Sequence, residues 1–301
     1  MSAPVAWLNG QLIPWAEAAV PAWDLGVVAG AAVTEAGRTY GHRFLYQDAH
    51  LQRFLDSLQQ LRFPQPWSRQ QLEEGLDAVL RHNSDLLADG DDLGVVICST
   101  AGSNATYLGR HSDACTTLIH SYPLPFGLWQ PAFTVGVRLR IVSTRQIPAD
   151  CFPVSMKVRN RLHWWLADRE AADVEQGSRA LVLDQAGNVT ETSTSAVLLV
   201  QNGKLSAPAG AVLNSLSVQL LERHAGELGI PFQRRAIQAA ELQQADEIFL
   251  SSAPAGLLPV LTVDGQLVRS EGSLQGPVFC QLLESISRET GVDLRARMLQ
   301  G

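Results

Sequence analysis

Apolar residues recur along this chain with two different periods, and the switches between them outline its elements. From Asp48, the spacing of Leu51, Phe54, Leu55, Leu58 and Leu61 is that of one helical face. A second helix is expected from Ser68, where Ser68 and Gln71 form a capping box ahead of Leu72, Leu76, Val79 and Leu80. Helical patterns return over 160–176, 217–228 and 277–290. Strand-like runs fall between them. Val5–Leu8 and Gln11–Pro14 flank an Asn9-Gly10 hairpin turn. Further runs lead up to Tyr40 and cover 95–98, 116–120, 133–142, 180–183, 189–192, 196–200 and 248–251.

Segment 122–131 interrupts this pattern with Pro123, Pro125, Pro131 and Gly127. It reads as an extended connector, neither regular helix nor central strand. It separates a smaller α+β domain, 1–121, from a larger mixed α/β domain, 132–301, and 301 residues suffice for both.

Composition narrows the function. A net charge of −7 without a basic run argues against nucleic-acid binding. No apolar run is long enough to span a membrane, and the start lacks a signal peptide's charged-then-apolar order. The expected location is therefore the cytoplasm. Cys98, Cys115, Cys151 and Cys280 are widely spaced and the histidines are scattered, so the thiols are expected reduced and mostly buried, with no metal site. Charged residues make up only 18% of a chain with 7 tryptophans, which suggests extensive buried surface, a subunit interface included.

Of 23 basic Lys and Arg residues, only Lys157 and Lys204 are lysines. An amine nucleophile therefore has two candidates, because arginine stays protonated. Lys204 follows an Asn202-Gly203 turn, where a lysine is normally solvated. Lys157 has apolar neighbours on both sides, although a compositional bias toward arginine explains its scarcity equally well. Glu191 lies on a strand whose alternation pairs it with Val189, and an edge glutamate in water is the alternative. Arg53 lies opposite the Leu51/Leu55/Leu58 stripe, as a solvated arginine does. The loop from Asn214 to Ser217 suits a phosphate, and it equally suits a plain serine N-cap. A lysine for an aldehyde, a carboxylate for a ring nitrogen and an arginine with a helix N-terminus for a phosphate together describe a pyridoxal-phosphate site.

The segments carrying these residues resemble the class IV, fold type IV, pyridoxal-phosphate enzymes. That family includes branched-chain aminotransferases, D-amino-acid aminotransferases and aminodeoxychorismate lyases. The matching pieces are Asp24-Leu25-Gly26 with Gly30, Glu35-Ala36-Gly37-Arg38, His50-Leu51-Gln52-Arg53 with Ser57, Lys157-Val158-Arg159-Asn160-Arg161-Leu162, Gly187-Asn188-Val189-Thr190-Glu191, and Ala245 through Val260. The resemblance implies a two-domain fold whose larger domain is a pseudo-barrel carrying the lysine, a homodimer, and pyridoxal 5'-phosphate as cofactor. By it, Lys157 forms the Schiff base, Glu191 pairs with the pyridine nitrogen, and Arg53 grips the phosphate. Leu216 and Ser217 add donors, and Ser252 and Ala253 stand at the rest of the phosphate cup.

Four departures bear on the substrate. Ser215-Leu216-Ser217-Val218 stands where the family usually has Gly-Ile-Thr-Arg. Ala253 takes the place of a Thr or Ser, Ala196 that of an Asn, and Thr34 that of an aromatic facing the substrate. Arg110 and His111 are candidates for a substrate carboxylate, against the reading of a solvated loop pair. The expected reaction is amino transfer between an amino acid and a 2-oxo acid. The alternatives are β-elimination of the aminodeoxychorismate type and a non-catalytic protein that keeps the fold.

Overall fold

Asn9 and Gly10 both adopt positive φ, 48° and 90°, so the first hairpin turns with the backbone twist that matches its strands. It opens a chain whose structure, a computed structural model, describes residues 3–88, 90–112, 114–268 and 273–300. Two units divide it: Met1–Leu124 with Met156–Asn160, and Pro125–Ser155 with Arg161–Gly301.

In the first unit, β1 (Val5–Leu8), β2 (Gln11–Pro14), β3 (Ala32–Arg38), β4 (Leu93–Thr100) and β5 (Thr117–Pro123) form an antiparallel sheet in the order β2-β1-β5-β4-β3. The short helices α1 (Leu25–Val28) and α4 (Ala105–Leu108) lie in its loops, and α2 (Gln47–Gln60) and α3 (Arg69–Ser84) join β3 to β4. Strand alternation sends Trp7, Val33, Val95, Ile97 and Ile119 into one core with Leu51, Phe54, Leu72 and Leu76 of the two helices. The Ser68–Gln71 capping box is present. Gly75 sits where a Cβ would come within 2.8 Å of the Trp7 ring, so only glycine lets α3 pack that closely.

The second unit contains α5 (Phe126–Thr134), β6 (Val137–Arg145), α6 (Leu162–Val174), β7 (Arg179–Leu183), β8 (Ala196–Gln201), β9 (Lys204–Pro208), α7 (Leu216–Glu227), β10 (Phe232–Arg235), β11 (Glu247–Ser252), β12 (Gly256–Val263), β13 (Gln266–Leu267), α8 (Pro277–Thr290) and α9 (Leu294–Gln300). Its sheet runs β10-β9-β8-β11-β12-β6-β7, with β13 paired to β12. The pairs β9/β10, β12/β6 and β6/β7 are parallel, and the rest are antiparallel. The fold class is therefore mixed α/β, as expected.

Several expectations need correction. Segment 122–131 is not an extended connector: β5 runs to Pro123, and α5 begins at Phe126 with Pro125 as N-cap and Pro131 inside it. Pro123 ends a strand, and Pro125 precedes a first helical turn whose N–H groups have no intrahelical acceptor. Only Pro131 removes a helical hydrogen bond, and burial of Phe126 and Phe133, 7% and 1% exposed, offsets that loss. Met156–Asn160, expected in the larger domain, belongs to the smaller unit because it pairs with β3. Stretch 189–192 forms single bridges, Leu183 to Val189 and Glu191 to Ala196, and no continuous strand. All four cysteines are free, and against the expectation of mostly buried thiols only Cys115 is buried and Cys151 is exposed.

Candidate active site

β3 supplies two different contacts from its two faces. On the helix side, Glu35 is 2% exposed and would be costly there without partners. Arg53 of α2 supplies them: Nε donates to Oε1 at 2.7 Å, and a second guanidinium N–H donates to Oε2 at 2.8 Å. His50 Nδ1 lies 2.8 Å from Oε2. Burial alone would raise the Glu35 carboxyl. The bonds from His50 and Arg53 outweigh it and hold the group below the usual carboxylate range. Gly37 leaves room for this cluster, because a Cβ there would lie 2.4 Å from the Phe44 ring that stacks on His50.

Arg53 is therefore not a solvated arginine: its side chain is 12% exposed. The Leu51/Leu55/Leu58 stripe understated the buried arc of α2, which extends through His50, Phe54 and Ser57 to the edge where Arg53 sits. Ser57 Oγ donates to the Arg53 carbonyl at 2.7 Å and fixes that turn.

Lys157 is tied to the edge of the same strand. Thr34 N–H donates to the Lys157 carbonyl and Arg159 N–H to the Ala32 carbonyl, both at 2.9 Å, bracketing a Val33–Val158 bridge. Val158 thus shares the helix face with Val33, while Lys157 and Arg159 share the other face with Thr34. Thr34, the candidate substrate residue, is 4% exposed, and its hydroxyl donates to the Ile97 carbonyl at 3.0 Å. The loop before β3 is fixed by buried Asp24, which accepts from Gly26 N–H and from the hydroxyls of Thr100 and Thr116.

In the second unit, Glu191 is half-buried and not an edge glutamate in water. Its Oε1 accepts from Leu213 N–H at 3.1 Å and lies 3.4 Å from Gln146 Nε2. Just beyond Leu213, Ser215 is the N-cap of α7, accepting from Val218 N–H, and its Oγ lies 2.9 Å from Ser217 Oγ. Leu216 and Ser217 form the first turn of this 12-residue helix, where the N–H groups and the dipole favour an anion. Ser252 ends β11, and its Oγ accepts from Ala255 N–H at 3.3 Å. Ala253 is half-buried in the turn that follows.

The structure thus groups Arg53, Lys157 and Thr34 around β3 in one unit, and Glu191, Leu216 and Ser217 around the 213–217 loop in the other. Arg110 is exposed at the end of α4, outside both groups. Among the described residues, no three His, Cys, Asp or Glu side chains could hold a metal ion. Sequence reasoning missed the roles of Glu35 and His50. A glutamate in phase with Val33, on the strand's apolar face, was the available signal for the first.

Comparison with known proteins identifies the family. Residues 32–263 match the family model described as amino-transferase class IV. A branched-chain-amino-acid aminotransferase of Escherichia coli K12 is 27% identical over 282 residues, covering 90% of this chain and 88% of that protein. A D-alanine aminotransferase of Listeria monocytogenes is 25% identical over 300 residues, covering 94% and 96%. The crystal structure of a T.th. branched-chain amino acid aminotransferase with pyridoxamine 5'-phosphate superposes with a TM-score of 0.84 at 26% identity, covering 97% of this chain and 95% of that one.

Proposed function

The chain belongs to the class IV aminotransferase family, and we propose that it moves an amino group between an amino acid and a 2-oxo acid with pyridoxal 5'-phosphate, Lys157 supplying the amine. The cofactor, when bound, contributes an aldehyde that condenses with amines and a ring that takes up electrons from a broken Cα–H bond.

The donor set fits that group. In the first unit Arg53 suits a phosphate dianion; in the second, so does the first turn of α7 with Leu216 and Ser217, and the Ser252 hydroxyl and Ala253 N–H are further phosphate donors. The Glu191 carboxylate, held by Leu213 and Gln146, suits a protonated ring nitrogen. Lys157, as a neutral amine, would take the proton from the substrate's Cα and return it.

One observation carries this reading: a single strand fixes both critical basic residues. β3 holds the Lys157 backbone through Ala32 and Thr34 and the Arg53 guanidinium through Glu35. The relatives compared are named as aminotransferases, so lyase chemistry and loss of turnover are the weaker readings.

We also propose a cytoplasmic homodimer. No helix among the described residues is long and apolar enough to cross a membrane. Leu162, Trp165 and Leu166 of α6 are 66%, 61% and 49% exposed, an apolar surface suited to a second copy.

The test is spectroscopic. Purified protein should carry a cofactor absorption band that shifts on adding an amino donor, and Lys157→Ala should lose the shift. Branched-chain amino acids and D-alanine, the substrates in the relatives' names, are the first donors to try. Release of 4-aminobenzoate from aminodeoxychorismate without amino transfer would instead support the lyase. A colourless protein that cannot be reconstituted would support the non-catalytic reading.

A further inference from the structure

We infer that the face of the β3–β4–β5 sheet opposite α2 and α3, where Arg159, His120, Tyr122 and Cys98 stand beside Lys157, binds a substrate carboxylate; this rests on the aminotransferase reading of Lys157.

The register assembles the site. Thr34 pairs with Cys98, Val96 with His120, and Gly94 with Tyr122. Val33, Val95, Ile97 and Ile119 fill the helix-side core, so Cys98, His120 and Tyr122 alternate onto the opposite face, and each is only partly buried. Lys157 and Arg159 reach that face from the edge beside β3. Two residues apart on an extended segment, they stand about 6.5 Å apart. A carboxylate held at Arg159 therefore leaves the carbon next to it within reach of the Lys157 amine.

The charge balance fits an anion. Among the described residues no carboxylate pairs with Arg159, whereas Arg53, Arg69, Arg138, Arg140, Arg223 and Arg234 all have one. Asp24, in the loop before β3, is buried and already accepts three hydrogen bonds. The groups around the guanidinium are neutral donors. Burial raises the Cys98 thiol and the Tyr122 phenol, and burial together with Arg159 lowers His120. His120 Nδ1 is buried with no hydrogen-bond partner among the described residues. Arg159 is exposed, so its guanidinium is open to an incoming anion, and a carboxylate bound there would also give the orphaned His120 ring nitrogen an acceptor. Gly94 makes room for the Tyr122 ring, which lies across the strand where a Cβ would be 2.3 Å away.

Calorimetric titration of the holoenzyme with glutarate, butyrate and uncharged butyramide tests the site directly. Arg159→Gln should weaken carboxylate binding by about tenfold to a hundredfold, with Arg159→Lys between it and wild type. The cofactor absorption band should not change. Loss with both acids marks recognition of the carboxylate next to the reacting carbon, and loss with glutarate alone marks a distal one. Tyr122→Phe, a milder change on the same face, should show a smaller loss of the same kind. Unchanged affinity in Arg159→Gln, equal weakening toward butyramide, or a wild type that binds neither acid would overturn the inference. If carboxylate binding depends on Arg159 but no cofactor can be trapped on Lys157, the aminotransferase reading fails while the binding site stands.

Discussion

Glu35 in β3 and Glu247 in β11 are both buried carboxylates on sheet strands, 2% and 6% exposed, yet they have opposite partners. Glu35 meets two side chains that carry or can carry positive charge, Arg53 and His50. Among the described residues Glu247 meets the N–H groups of Val278 and Phe279, each at 2.9 Å, at the start of α8, and no cation. Burial would raise both groups. The charged partners reverse that for Glu35, while for Glu247 burial prevails and the carboxyl stays raised. The contrast separates two uses of a buried acid. Glu247 caps a helix, and Gly276 is glycine because a Cβ there would lie 2.2 Å from the Glu247 side chain. Glu35 holds a cation in place, and that cation is the proposed phosphate ligand.

Glu35→Ala should break the comparison most severely. It leaves Arg53 buried without its carboxylate, at a cost of about 3–5 kcal/mol in urea unfolding, and should weaken cofactor retention as well. A loss under about 1 kcal/mol would show that Glu35 does not anchor Arg53. Glu247→Ala should cost less, about 1–3 kcal/mol from two buried N–H groups left unsatisfied, and should leave cofactor affinity unchanged.

Their pH dependences should run in opposite directions. With its folded pKa lowered, Glu35 contributes stability above the ordinary value of 4.5, and that contribution is lost as pH falls through the lower folded value. With its folded pKa raised, Glu247 favours the fold below 4.5, and this is lost as pH rises through the folded value. Wild type should therefore lose ground to Glu35→Gln on acidification and to Glu247→Gln on approach to neutrality. Each effect scales as about 1.4 kcal/mol for every tenfold difference in proton affinity between the folded and unfolded chain. Parallel slopes would refute the contrast. The smallest effect is expected at Ser68→Ala, which removes an uncharged cap. It should cost about 1 kcal/mol, without pH dependence in the carboxylate range.

The local part of this fold could be read from the sequence. The Asn9-Gly10 hairpin, the Ser68–Gln71 capping box and the start of α8 at Pro277 follow from residues a few positions apart, and the structure has all three. What could not be read depends on distant partners. Arg53 looked solvated because its fate is set by Glu35, 18 residues earlier on a strand. Lys157 was picked out by scarcity and resemblance, but its pairing with β3 crosses more than a hundred residues, and no local period reports that. Proline content misjudged 122–131, because a proline at a helix boundary costs little. Glu191 was expected on a continuous strand, and its bonds to Leu213 and Gln146 come from loops that hydrophobic period does not describe.

Lys157 as the cofactor-bearing amine is the central claim, and reductive trapping tests it most directly. Borohydride treatment of the cofactor-loaded protein, followed by peptide mass mapping, should place a phosphopyridoxyl group on Lys157 and leave Lys204 unmodified. Labelling of Lys204, or no specific label in a protein shown to bind the cofactor, would contradict it.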